Sequence, residues 1–103
     1  TIKALAKKEN TEGLCMENIP MPILYNDSVL IKVKKTGICG TDLHIYNWDD
    51  WAKRTLELPL IIGHEFCGIV AEVGPGVTHY KPGQRVSGEG HITCGHCRNC
   101  RAG

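Results

Sequence analysis

The sequence LIIGHEFCGIV at residues 60–70 places two potential metal ligands, His64 and Glu65, between two apolar runs. This pattern predicts that an ionisable pair is carried into the protein interior. Burying such a pair is costly unless each member is ion-paired, hydrogen-bonded or bound to a metal. Gly63 and Gly68 flank the pair and indicate a backbone that bends sharply or approaches another group closely. Taken alone, the pair also fits the end of a strand with a hydrogen-bonded histidine.

The composition limits the classes of function. The chain has 103 residues, with 12 Lys and Arg against 11 Asp and Glu, so its net charge is +1. This is enough for one domain, and the balance gives no electrostatic signature for nucleic acid or an anionic membrane. No apolar run approaches the roughly 18–20 residues that span a bilayer, and no secretion signal pattern opens the sequence. Six cysteines in this setting indicate metal ligation or free thiols and predict a cytoplasmic protein.

Short apolar stretches between glycine and proline turns predict a mainly β fold, either a barrel or a sandwich. From Ser28 onward, Val29, Ile31 and Val33 alternate with polar residues and predict a half-solvated antiparallel strand. The other predicted strands cover residues 2–7, 13–19, 69–73 and 84–87.

The remaining segments are less regular. Either Thr41 or Asp42 is predicted to cap one short helix over residues 41–47. Residues 47–58, with Trp48 and Trp51, have no clean period and predict an irregular surface segment whose tryptophans cover the edge of the core.

One candidate metal site combines residues from separate parts of the chain. Cys39, His64 and Glu65 offer sulfur, nitrogen and oxygen to one divalent ion. A catalytic zinc site needs about three protein ligands and one open position, which this set supplies. Asp42 could accept a hydrogen bond from the far ring nitrogen of His64 and so fix its tautomer.

A candidate proton path lies beside this site. Thr41 carries a hydroxyl that can both accept and donate a proton, and His44 lies three residues further on, on the same helix face. A hydroxyl and an imidazole in series predict a route by which a proton leaves a metal-bound alcohol.

A second candidate metal site lies near residue 100. Cys94, Cys97 and Cys100 have the two-residue spacing that wraps one metal ion, whereas His96 inside the loop is expected to face solvent. Structural zinc sites close with four ligands, so one ligand is not among these three. The same spacing begins an iron–sulfur motif, which remains a second interpretation.

The order of these motifs along the chain matches that of a known protein family. GICGTDLH at residues 37–44, GHEFCG at residues 63–68 and the triple-cysteine segment together resemble the zinc-containing medium-chain dehydrogenases. The resemblance runs through essentially the whole chain and corresponds to the N-terminal catalytic, GroES-like domain of that family. It implies a partly open β-barrel with a short helix and a zinc-binding cysteine lobe. Residues 36–51 and 87–101 resemble most closely the threonine-oxidising members.

The resemblance also assigns roles to residues. It implies that Cys39 and His64 hold a catalytic zinc with either Glu65 or a residue further along the chain as the third ligand, and that Thr41 and His44 form the proton relay. It assigns the three lobe residues Cys94, Cys97 and Cys100 to a structural zinc. His91 is a hypothetical substrate-pocket residue, and an ordinary turn histidine is an equally good interpretation.

Two family features are missing from the sequence. The fourth cysteine of the structural lobe is expected several residues after Cys100, and no G-x-G-x-x-G motif follows a strand. We therefore expect residues 1–103 to be a C-terminally incomplete GroES-like catalytic domain that lacks the NAD-binding Rossmann domain. Such a piece would be inactive alone and would expose an unpaired sheet edge.

The function that the resemblance implies is NAD-dependent oxidation of the L-threonine 3-hydroxyl to 2-amino-3-oxobutanoate by a zinc enzyme that forms homo-oligomers, commonly tetramers. Another polyol or diol dehydrogenase would use the same zinc and relay residues. A non-catalytic zinc-binding module and an iron–sulfur electron carrier are candidates from two further classes, although a purely structural module would need no proton relay.

Overall fold

The computed structural model describes residues 1–103 and is mainly β, as predicted. Its nine elements are β1 (Ile2–Lys7), β2 (Cys15–Ile19), β3 (Val29–Thr36), α1 (Gly40–Asn47), α2 (Asp50–Thr55), β4 (Leu60–Ile61), β5 (Phe66–Val73), β6 (Arg85–Ser87) and α3 (Arg98–Ala102). None of the three helices is long and apolar enough to cross a membrane.

The strands form two open antiparallel sheets rather than a closed barrel. One sheet has the order β2-β1-β4 and the other has the order β3-β5-β6. The longest pairing joins β3 to β5 and shifts register twice, between Leu30 and Ile31 and between Val33 and Lys35. These shifts interrupt the alternation of β3, and Val33 is 52% exposed although it was predicted to share the apolar face of the strand.

Helix α1 begins one residue earlier than predicted, and neither Thr41 nor Asp42 is its N-cap. Cys39 occupies that position in an extended conformation. Asp42, at the third helical position, accepts a hydrogen bond from the backbone N–H of Cys39 through Oδ2 at 2.9 Å. An acidic side chain in the first turn can thus cap the helix from inside it.

The predicted irregular segment at residues 47–58 contains a helix, α2. Asp49 caps α2 by accepting a hydrogen bond from the backbone N–H of Ala52 at 3.0 Å. Only Ala52 of this six-residue helix is buried, which explains why its sequence shows no helical period. Trp48 is buried at 6% exposure, as predicted, but Trp51 is 41% exposed.

The most deeply buried cation is Lys7, at the end of β1. Its residue is 1% exposed, and its Nζ donates hydrogen bonds to the carbonyl oxygens of Thr11, Gly13 at 2.8 Å and Tyr46 at 3.2 Å. The ammonium also lies 5.7 Å from the ring centroid of Trp48. A buried charge is tolerated only when it is well hydrogen-bonded, and here it joins the β1–β2 turn to the end of α1.

We expect Lys7→Ala to destabilise the fold by about 2–4 kcal/mol, because it removes three hydrogen bonds to carbonyl oxygens and a packed side chain. The matched control is Lys3→Ala on the same strand, where the side chain is exposed and the change should stay within about 0.5 kcal/mol. Urea denaturation measures the free energy of unfolding of both variants. Equal losses for the two variants would contradict this role for Lys7.

Candidate metal centres

The pairing of β3 with β5 positions the first candidate site. The ladder ends at the pair Thr36 and Phe66, and the Gly37 N–H donates to the Glu65 carbonyl oxygen at 2.8 Å just beyond it. The segment after β3 and the segment before β5 therefore lie at the same end of the sheet. Cys39 follows one strand and His64 precedes the other, so residues about 25 positions apart in sequence become neighbours.

The structure brings the three predicted donors of this site together. The donor atoms of Cys39, His64 and Glu65 all lie within 4.8 Å of one another. Thiolate, imidazole and carboxylate donors in one cluster suit zinc, and three of them leave a position open. The predicted burial of the pair is wrong, because His64 and Glu65 are both exposed in the loop between β4 and β5. A ligand set that faces a surface remains accessible to a substrate.

A buried carboxylate, that of Asp42, lies beside the cluster. Asp42 is buried at 8% exposure, and its Oδ1 has no hydrogen-bond partner. That oxygen lies 3.9 Å from His64 Nδ1, slightly beyond hydrogen-bond distance. An Nδ1–H directed at this carboxylate would leave Nε2 of His64 as the metal-binding nitrogen, which is a common arrangement around zinc. The orphaned buried oxygen therefore fits a metal centre at this position.

Gly37 gives Glu65 the space it occupies. A Cβ built on Gly37 would lie 2.7 Å from Glu65 Oε2, closer than real Cβ contacts allow. The glycine that opens the GICGTD motif thus allows the carboxylate to turn toward Cys39 and His64.

Both predicted relay residues lie on α1, but they do not hydrogen-bond each other. Thr41 Oγ1 lies 3.8 Å from Cys39 Sγ, so the hydroxyl borders this cluster of candidate ligands. His44 is more exposed, and its Nδ1 pairs with Asp49 Oδ2. Its ring also lies 5.6 Å from the ring of Trp51, between centroids. The hydroxyl thus faces the cluster, whereas the imidazole is held from the α2 side.

The three lobe cysteines form the second cluster. Cys97 Sγ lies 3.4 Å from Cys100 Sγ, and Cys94 Sγ lies 3.8 Å from Cys100 Sγ. The backbone N–H groups of His96 and Cys97 lower the pKa of the Cys94 thiol to about 7, and a hydrogen bond with Cys97 lowers the pKa of Cys100. The Cys94 thiolate is therefore readily available near neutral pH, which suits metal binding.

The histidines near this lobe do not join either cluster. His96 is exposed, as predicted, and its Nδ1 lies 3.0 Å from the Cys94 carbonyl oxygen. His91, the hypothetical substrate-pocket residue, is also exposed and pairs with Glu89, whose pKa is lowered by that contact. Its substrate role stays a prediction.

Sequence reasoning missed two residues that shape this region, Asp49 and Lys7. The signal for Asp49 was available, because an aspartate directly before Asp50 and an alanine-containing segment is a common helix start. Its pairing with His44 depends on the turn between the two helices. Lys7 gives no signal of burial, because a lysine at a strand end ordinarily faces solvent.

Comparisons with known proteins show which family the chain is similar to. Residues 25–103 match the alcohol dehydrogenase GroES-like domain family. The chain is 62% identical over 102 residues to an L-threonine 3-dehydrogenase from Chelativorans sp. strain BNC1, covering 99% of this chain and 30% of that protein. It thus spans less than a third of the length of that curated relative.

Solved structures show the same fold. An alcohol dehydrogenase from Thermus sp. ATN1 superposes with a TM-score of 0.80 at 35% identity, over 98% of this chain and 28% of that one. A 2R,3R-butanediol dehydrogenase from Bacillus subtilis superposes with a TM-score of 0.71 at 39% identity, over 82% of this chain and 26% of that one.

We expect Cys39→Ala to remove one zinc ion per chain and Cys97→Ala to remove a different one, because each thiol belongs to a separate cluster. Cys67→Ala is the matched control, since that cysteine lies on β5 and in neither cluster. Zinc analysis of each dialysed protein measures the loss. Undiminished zinc in the Cys39 variant would refute the ligand assignment.

Proposed function

The chain belongs to the alcohol dehydrogenase GroES-like domain family, and from this premise we propose that its protein oxidises the 3-hydroxyl of L-threonine to 2-amino-3-oxobutanoate with NAD as hydride acceptor. The observation that carries the proposal is the 62% identity to a threonine dehydrogenase over nearly the whole chain. The cluster of Cys39, His64 and Glu65 beside the Thr41 hydroxyl supports it chemically.

The proposed metal ligands divide into two sets. Cys39, His64 and Glu65 would hold a catalytic zinc, which when bound supplies a Lewis acid that makes the substrate hydroxyl more acidic. The three lobe cysteines would hold a structural zinc together with a ligand outside this set. Asp42 would accept the Nδ1–H of His64 and keep its other nitrogen directed at the cluster.

The protein's own residues would then move the proton. Thr41, whose hydroxyl lies 3.8 Å from Cys39 Sγ, would accept the proton from the substrate hydroxyl while passing its own onward. His44, which is 55% exposed at its side chain, would receive that proton and release it to water. Carbon 3 of the substrate would lose its hydride to the nicotinamide at the same time.

The remaining proposals concern the whole protein. Residues 1–103 would form part of a GroES-like catalytic domain, and a Rossmann domain elsewhere in the protein would bind most of the NAD. We expect a cytoplasmic homo-oligomer, with a tetramer as the first candidate, that acts on a small molecule and binds neither nucleic acid nor membrane.

A diol dehydrogenase is the second candidate, and the 39% identity to a butanediol dehydrogenase favours it. The same ligands and relay would serve that reaction, so the substrate alone distinguishes the two. A non-catalytic zinc module would show no turnover at all. An iron–sulfur protein would be coloured, whereas a zinc protein is colourless.

We expect the full-length protein to form NADH from L-threonine with a kcat/KM at least about tenfold above that for sorbitol or 2,3-butanediol. A zinc chelator should abolish the signal. The absorbance of NADH measures the turnover of each of the three substrates in parallel assays. Preference for a diol would reject threonine as the substrate, and absence of turnover on every substrate would reject the enzyme proposal.

We expect His44→Ala to lower kcat about 10²-fold while both zinc ions stay bound, because the variant removes a proton carrier and no metal ligand. His79→Ala is the control, since that histidine is exposed in a turn and outside both clusters. Steady-state kinetics and zinc analysis on the same samples measure the effect. Loss of zinc in parallel with kcat would mean that His44 has a structural role instead.

A further inference from the structure

His44 is held by an acidic residue that the relay hypothesis did not include. Its Nδ1 pairs with Oδ2 of Asp49, and the Asp49 backbone N–H donates to the His44 carbonyl oxygen at 3.3 Å. Asp49 therefore contacts His44 through both its side chain and its backbone. Two contacts to one residue indicate that the position of Asp49 is set relative to His44.

The turn between α1 and α2 creates this arrangement. Trp48 has φ of 51° and ψ of 52°, a left-handed conformation that a bulky side chain rarely adopts. Such a residue persists only where its surroundings hold it, and here the indole is buried beside the Lys7 ammonium. The left-handed residue reverses the chain, so that Asp49 turns back onto the side chain of His44.

The two carboxylate oxygens of Asp49 have different tasks. Oδ1 accepts the Ala52 N–H and caps α2, whereas Oδ2 faces the imidazole. The Ala52 hydrogen bond first, and the His44 contact second, hold the pKa of Asp49 below its ordinary value. Asp49 is therefore ionised at neutral pH and can only accept hydrogen bonds, so the nitrogen facing it must carry a proton.

Capping alone would not require this geometry. Serine or asparagine caps a helix as well as aspartate does, and neither would place an anion against His44. The ring of Trp51 approaches the same imidazole from α2 at 5.6 Å between centroids, which restricts the ring further. Helix α2 thus presents a carboxylate and an aromatic ring to one histidine of α1.

We propose that Asp49 is a positioning residue of the proton relay, which fixes His44 with Nδ1 protonated and Nε2 free to take the proton. The inference rests on the proposed function. The proton that leaves the Thr41 hydroxyl would bind Nε2, while the Nδ1–H stays directed at Asp49. The proton on Nε2 would then pass to water, which returns the imidazole to its starting tautomer.

The test uses the full-length zinc-loaded protein with Asp49→Ser and Asp49→Asn. Serine keeps a capping oxygen but is too short to reach His44, and asparagine keeps the size without the charge. We expect kcat to fall about tenfold or more in both, with KM, zinc content and Tm close to wild type. Asp50→Asn is the control, because that neighbouring carboxylate does not contact His44.

A double-mutant cycle separates positioning from helix capping. If Asp49 acts through His44, Asp49→Ser should cause no further loss of kcat in the His44→Ala background. An equal loss in both backgrounds, or unchanged kcat in the wild-type background, would overturn the proposal.

A spectroscopic measurement keeps the inference independent of the substrate. In protein labelled with ¹⁵N-histidine, His44 should show protonated Nδ1 in the wild type and a different or mixed tautomer in Asp49→Ser. If the wild type does not oxidise threonine, the proposed function fails while the tautomer still decides the role of Asp49. An unchanged tautomer in the variant would overturn that role.

Discussion

The antiparallel register between β3 and β5 is the constraint on which the first candidate metal site depends. The two strands end together at Thr36 and Phe66, so the chains leaving them carry Cys39, His64 and Glu65 to one place. A slip by one residue would reverse the face of every side chain on the strand. A Cβ on Gly68 would lie 2.4 Å from the Lys32 carbonyl oxygen, so the close approach beside the second register shift requires glycine.

Helix α1 holds the proposed relay residues, and both of its ends are fixed from outside the helical hydrogen bonds. At its start, Asp42 accepts the Cys39 N–H and so connects the capping of the helix to the position of a candidate metal ligand. At its end, the Tyr46 carbonyl oxygen accepts hydrogen bonds from Lys7 and from the Gly13 N–H. The β1–β2 turn is thus tied to the helix that holds Thr41 and His44, although it contributes no residue to the site.

The cysteine lobe follows a different principle. Its three thiols lie within seven residues and approach one another through a tight turn, with no strand pairing required. The amides of His96 and Cys97 face the Cys94 sulfur for the same local reason and favour its thiolate. A metal bound there would order this segment itself, whereas the other cluster is assembled by the sheet.

The sequence by itself determined the local features: the strand pattern, the α1 segment, the thiol spacing and the identity of the candidate ligands. The first three depend on residues close together in the chain, where periodicity and spacing carry information. The candidate ligands Cys39 and His64 lie about 25 positions apart, and they are indicated by their side-chain chemistry and by the motifs around them. It did not determine the cap of α1, the existence of α2 or the exposure of His64 and Glu65. Only the tertiary structure decided that Lys7 is buried and that Asp49 meets His44. The physical reason is that these contacts arise from a strand register and a left-handed turn at Trp48, which bring together groups whose sequence gives no sign of their partners.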